Sequence, residues 1–337
     1  MALVCLARWL VGDGAILAGG EKMEGERFVQ RTREKLWRDL GELVATALQH
    51  PQTIEVALNP DGKLWAERIG EPMKCIGTME PFHAEAVIKT LASHLHEVVT
   101  RSTPILEGEL PPDGWRFSGQ LPPVVKAPAF AIRVPAMRVI ALEEYVACGE
   151  LSQARYEVLK AAIERRENIL VVGGTGSGKT TLVNALIGAM VRASPNDRVI
   201  VIEDTQEIQC AAQNSIQYRT CPGVSVTDLL KASLRMRPDR ILVGEVRGPE
   251  ALDLLMAWNT GHEGGAATVH ANDARSGLSR LERLVSMHSS SPRQVPRLIA
   301  EVVDVVVHIA RVAGGRAVQE VLRVDGWCGD DYQTTQC

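Results

Sequence analysis

Residues 173–181 read Gly-Gly-Thr-Gly-Ser-Gly-Lys-Thr-Thr and follow the apolar run 169–172. Gly173, Gly178, Lys179 and Thr180 satisfy G-x-x-x-x-G-K-[ST], the pattern of a loop that wraps a triphosphate. Gly173, Gly174, Gly176 and Gly178 carry no Cβ. The backbone N–H groups from Gly173 through Thr175, Ser177 and Thr181 can therefore turn inward on phosphate oxygens. A helix starting near Lys179 adds the positive end of its dipole. Lys179 reaches the β- and γ-phosphates, and the Thr180 hydroxyl holds Mg²⁺. No N-K-x-D guanine motif accompanies the loop, so the expected substrate is ATP with Mg²⁺.

Binding triphosphate and cleaving it are separate tasks, and cleavage needs carboxylates beside the metal and the attacking water. Residues 241–245, Ile-Leu-Val-Gly-Glu, form an apolar run closed by Glu245. Glu245 orients or deprotonates water, or holds Mg²⁺ through water. Residues 199–204 have the same form and end on Glu203 and Asp204, which makes Glu203 a second candidate for catalysis and for the metal. His262 and His270 bracket another strand. A metal site there lacks a third ligand at suitable spacing, whereas His270 at the strand's carboxyl end can sense the γ-phosphate. Lys231, Arg235, Arg237, Arg240 and Arg247 make a basic run around Glu245. It reads as a nucleic-acid stripe, a solvated face or charge compensation at the site; for Arg247 the last is favoured.

These groups need a frame that brings strand ends together. Apolar strands alternate with helical patterns over residues 151–325, which predicts a mostly parallel sheet with ligand at the strands' carboxyl ends. A closing hairpin is expected around 313–316, followed by a polar, frayed tail at 326–337. Residues 23–135 predict a smaller α/β domain: a helix over 26–50, strand-like pieces around the 59–62 turn, a helix over 81–100, then short strands among prolines. Residues 136–150 read as a linker. The stretch 1–22 is broken by Arg8 and Asp13 and reads as a dispensable extension that cannot span a bilayer. In the N-terminal part Arg116 and Arg133 alternate with apolar neighbours, so both project away from the core; a solvated strand face accounts for either alone.

Composition narrows the function classes. The 337 residues carry a formal charge of −4 and only 4% aromatics, which leaves little basic field or stacking surface for nucleic acid. Seven scattered cysteines, none spaced C-x-x-C, fit a reducing compartment without a zinc site.

Taken together, residues 173–181, 202–205, 237–247 and 260–270 resemble the secretion traffic ATPases, the motors of type II and type IV secretion and type IV pili. The acidic and histidine segments look like that family's Asp box and His box, and the subtype looks conjugative. The missing C-x-x-C pairs argue against the type II branch. The resemblance implies a RecA-like P-loop ATPase domain behind a smaller N-terminal α/β domain, with nucleotide between them and N-terminal arginines at its γ-phosphate; Arg116 and Arg133 match those. Glu203, Glu245 and His270 match the family acids and histidine. It further implies a homohexamer that meets inner-membrane secretion-channel proteins, in the cytoplasm with peripheral contact at the inner membrane. Two other readings keep the same core: a nucleic-acid-stimulated translocase, and an inactive nucleotide-binding scaffold.

Overall fold

The computed structural model describes residues 19–111, 114–134, 139–313 and 315–337. Most of the expected N-terminal extension thus lies outside the described residues, and the first helix, Gly19–Gln49, begins before Met23. The chain divides into two compact units at Pro135/Ala136.

The N-terminal unit is an antiparallel six-stranded sheet, β1 (Thr53–Leu58), β2 (Lys63–Arg68), β3 (Lys74–Thr78), β4 (Ile105–Leu110), β5 (Trp115–Gln120) and β6 (Ala129–Arg133), in the order β3-β2-β1-β6-β5-β4. Leu36, Leu40 and Val44 of the first helix join Val87, Ile88 and Leu91 of the helix Pro81–His94 in one core with Val56, Phe117 and Ile132. The first helix is broken at Gly41, whose φ of 75° is open to glycine. Side chains alternate across a strand, so burying Trp115, Phe117, Phe130 and Ile132 turns Arg116 and Arg133 to the opposite face, as the alternation predicts. The register sets Glu109, Arg116, Arg133, Glu55 and Glu67 opposite one another across five adjacent strands. All five are half-buried.

The C-terminal unit is built on an eight-stranded sheet. Its strands are β7 (Ile169–Gly173), β8 (Val199–Glu203), β9 (Ser215–Arg219), β10 (Arg240–Val243), β11 (Ala266–His270), β12 (Val305–Val312), β13 (Gly315–Trp327) and β14 (Tyr332–Gln336). They lie in the order β14-β13-β12-β7-β11-β10-β8-β9, parallel from β12 to β9 and antiparallel from β12 to β14. β7, β8 and β10 are buried throughout, because each of their faces meets its own apolar layer. The linker segment folds into that core through the helix Leu142–Ala147, whose Leu142 and Tyr145 are buried. The expected frayed tail is corrected: residues 332–336 pair with β13. Tyr332 is buried and stands edge-on to Trp327 at 5.0 Å, and Arg275 binds Asp331 at 2.7 Å.

Candidate nucleotide site

Parallel pairing brings four strand exits to one edge. Gly173 ends β7, Glu203 ends β8, Gly244-Glu245 follow β10, and His270 ends β11. The loop after β7 turns at Gly176 (φ 66°) and Gly178 (φ 99°) into the helix Lys179–Ala193. Left-handed backbone at both positions needs glycine, since a Cβ there costs about 1–2 kcal/mol.

Lys179 is buried, and its ammonium donates to the carbonyls of Gly173 and Gly174, both at 2.9 Å. It also lies 3.2 Å from His270 Nδ1. An ammonium only donates, so Nδ1 must accept and Nε2 must carry the ring proton. Nε2 then donates to Glu245 Oε1 at 2.9 Å. The second Glu245 oxygen accepts from Arg247 Nη2 at 2.7 Å, and Arg247 Nη1 lies 3.4 Å from Asp204. Burial and then the Lys179 ammonium hold the imidazole below its ordinary value, outweighing the pull of Glu245. Burial raises Glu245, but the Arg247 hydrogen bond and charge, with the Lys179 ammonium behind them, keep it below the usual carboxylate range. The site is therefore a continuous line: ammonium, neutral imidazole, carboxylate, guanidinium.

Glu203 is placed differently from Glu245. It is 5% exposed, and its Oε1 accepts from the backbone N–H groups of Glu207 (3.1 Å) and Ile208 (2.9 Å). Burial pushes its carboxyl up to about 7, against the pull of those donors. The carboxylate that meets the phosphate loop is Glu207, whose Oε2 accepts from Thr180 Oγ1 at 3.1 Å. Buried Asn184 secures the same segment by accepting from Gln209 N at 3.0 Å. A hydroxyl facing a carboxylate is the hard-oxygen pair that Mg²⁺ takes, so Thr180 and Glu207 fit the ion.

A family model described as "Type II/IV secretion system protein" matches residues 79–337. The chain belongs to that family. The conjugal transfer protein TrbB of Rhizobium radiobacter is 46% identical over 304 residues, covering 90% of this chain and 94% of the relative. The type IV secretion system protein PtlH of Bordetella pertussis is 34% identical over 318 residues, covering 84% and 92%. The crystal structure of the Legionella pneumophila ATPase DotB has a TM-score of 0.60 at 18% identity, covering 88% of this chain and 80% of that one. It shares the fold, a RecA-like domain preceded by a smaller α/β domain. The chain is a TrbB-like member of the secretion family.

For this secretion-family chain, the structure joins Lys179, Glu245, Arg247 and His270, as the spacing predicts. It sets Glu203 behind Glu207, on the backbone N–H groups of Glu207 and Ile208. Arg240 of the basic run is buried and bonded to Asp197 at 2.7 Å, which interrupts any exposed stripe. His262 lies 2.9 Å from the Pro238 carbonyl, and among the described residues no cluster of three or more His, Cys, Asp or Glu forms a metal site. Three residues escaped sequence reading: Glu207, Arg311 and Arg316. Arg311 Nε donates to the Gly176 carbonyl at 3.0 Å, and Arg316 lies against Gly178. The two stand opposite each other in strands β12 and β13, so the signal available was their position at the hairpin expected around 313–316.

Proposed function

We propose that this chain is an ATP-hydrolysing motor of a conjugative type IV secretion system, working as a homohexamer against inner-membrane channel proteins on the cytoplasmic side. The observation that supports it most is the unbroken line Lys179–His270–Glu245–Arg247 at the mouth of the phosphate loop. Lys179 neutralises the β- and γ-phosphates. Glu245, kept ionised, accepts a hydrogen bond from the attacking water and aligns it, while Arg247 and His270 fix the carboxylate's two oxygens. His270 touches both Lys179 and Glu245, so loss of the γ-phosphate can be felt at Arg247 through hydrogen-bonded contacts alone.

Thr180 and Glu207 would hold Mg²⁺, which would offset the charge of the phosphate oxygens. Glu203 supports this arrangement from behind by holding the 207–208 backbone. Arg116 and Arg133 would serve the triphosphate, the role that the family resemblance implies for the N-terminal arginines. Hydrolysis would be converted to movement of the two units. The test is phosphate release by wild type and Lys179→Ala, with mass measurement with and without Mg-ATP. Turnover lost in the variant and a ring in the wild type support the reading. Wild-type turnover in Lys179→Ala refutes it.

A further inference from the structure

Beyond His270, on the side of the phosphate loop away from Glu207, an open cavity of about 470 Å³ is lined by Gly174, Thr175, Asn272, Ser276, Arg280 and Arg283. Gly174 and Thr175 belong to the phosphate loop, so the cavity adjoins that loop and the His270 ring. Arg280 and Arg283 are one turn apart on the helix Ala274–Ser286 and face the same space. Among the described residues neither makes an ion pair. Elsewhere on this helix Arg275 is matched to Asp331 at 2.7 Å. Two like charges at this spacing repel, and among the described residues no ion pair offsets that repulsion. Glu282 lies between the two arginines in sequence and is close enough to act on Tyr332, while Asp273, the helix cap, accepts from Ser276 N at 2.7 Å and Ser276 Oγ at 2.6 Å. Arg280 is also close enough for its charge to act on His270.

We propose that this cavity is a subsite for inorganic phosphate, holding the product after it separates from ADP, with Arg280 and Arg283 as its guanidinium ligands. The proposal rests on the ATPase reading and deepens it. Guanidinium forks suit a tetrahedral oxyanion. Asn272 adds a neutral amide donor, and the open mouth gives the product a way out that does not cross the Mg²⁺ side. Departure of phosphate from beside His270 is also the event that would free the imidazole–carboxylate line to respond.

The test measures inhibition of turnover by inorganic phosphate, alongside ADP affinity, in wild type, Arg280→Gln and Arg283→Gln. Loss of one charge-assisted contact should weaken phosphate roughly tenfold, with ADP affinity within about twofold because ADP is held by the loop. Arg283→Lys, which keeps the charge, should recover part of the loss. Phosphate inhibition unchanged in both variants overturns the subsite. So does a parallel loss of ADP and phosphate binding, which would mean a collapsed loop. A raised KM for ATP with unchanged phosphate inhibition also overturns it, since the arginines would then hold intact triphosphate. If wild type turns over ATP but phosphate never inhibits, the subsite falls and the ATPase reading stands; if wild type binds no nucleotide, both fall.

Discussion

Glu203→Gln separates two roles for a buried acid, and its effect can be worked out from the structure. The carboxyl is raised from 4.5 to about 7. Below pH 4.5 it is protonated folded and unfolded, and contributes no pH dependence. Between 4.5 and 7 the unfolded chain releases the proton while the folded chain keeps it, so stability falls as pH rises. Above 7 the fold carries a constant penalty of about 3 kcal/mol. Glutamine cannot ionise, yet its carbonyl oxygen can still accept from Glu207 N and Ile208 N. Its stability relative to wild type should therefore climb by about 3 kcal/mol between pH 4.5 and 8, read by urea unfolding with hydrogen exchange resolved over residues 199–203. Turnover should stay within a few fold, because Glu207 remains in place, whereas Glu203→Ala should lose the hold and weaken Mg²⁺. A flat pH difference would show that the carboxyl is not held protonated. Abolished turnover in Glu203→Gln, with nucleotide still bound, would put Glu203 on the reacting atoms.

Further outcomes are expected at the same site. Glu207→Gln should weaken Mg²⁺ about tenfold, seen when nucleotide affinity is titrated against Mg²⁺; an unchanged midpoint removes Glu207 from the metal. Arg311→Ala frees the Gly176 carbonyl and should raise the dissociation constant for ATP by about five- to tenfold, measured by fluorescent-nucleotide titration, with kcat little altered. Equal affinities would make the Arg311 contact incidental. Burial and the Lys179 ammonium hold His270 below its ordinary value, so the acid limb of kcat should lie below pH 6.5. A limb above that value would mean the imidazolium is the working form.

What could be read from the sequence was whatever lies on, or at the end of, a buried strand. Lys179, Glu245 and His270 were legible because apolar runs lead straight to them, and parallel strands deliver their exits to one edge. Glu207 was not, because residues 205–209 belong to no helix or strand and are shaped by Glu203 and Asn184, contacts across sequence that periodicity does not encode. The same holds for Glu203: a carboxylate at a strand end looks identical whether it turns toward ligand or back under a loop. Arg311 and Arg316 reach the phosphate loop only because β12 lies next to β7, a matter of strand order. The strand at 332–336 was missed because its alternation buries Tyr332 alone. Edge strand β9 is similarly low in apolar residues.

The arginine pair of the N-terminal sheet has one more consequence. Side chains change face at every residue, so sliding β6 by a single position would drive Arg133 into the space that Ile132 now fills, between the helices and Phe117. A guanidinium stranded there without a partner costs several kcal/mol, while Ile132 would be left on the wet side. Mispaired versions of this sheet are therefore penalised by the same residues assigned to the triphosphate. Single-residue insertions or deletions in the 121–128 connection that shift β6 should cost folding before they cost activity.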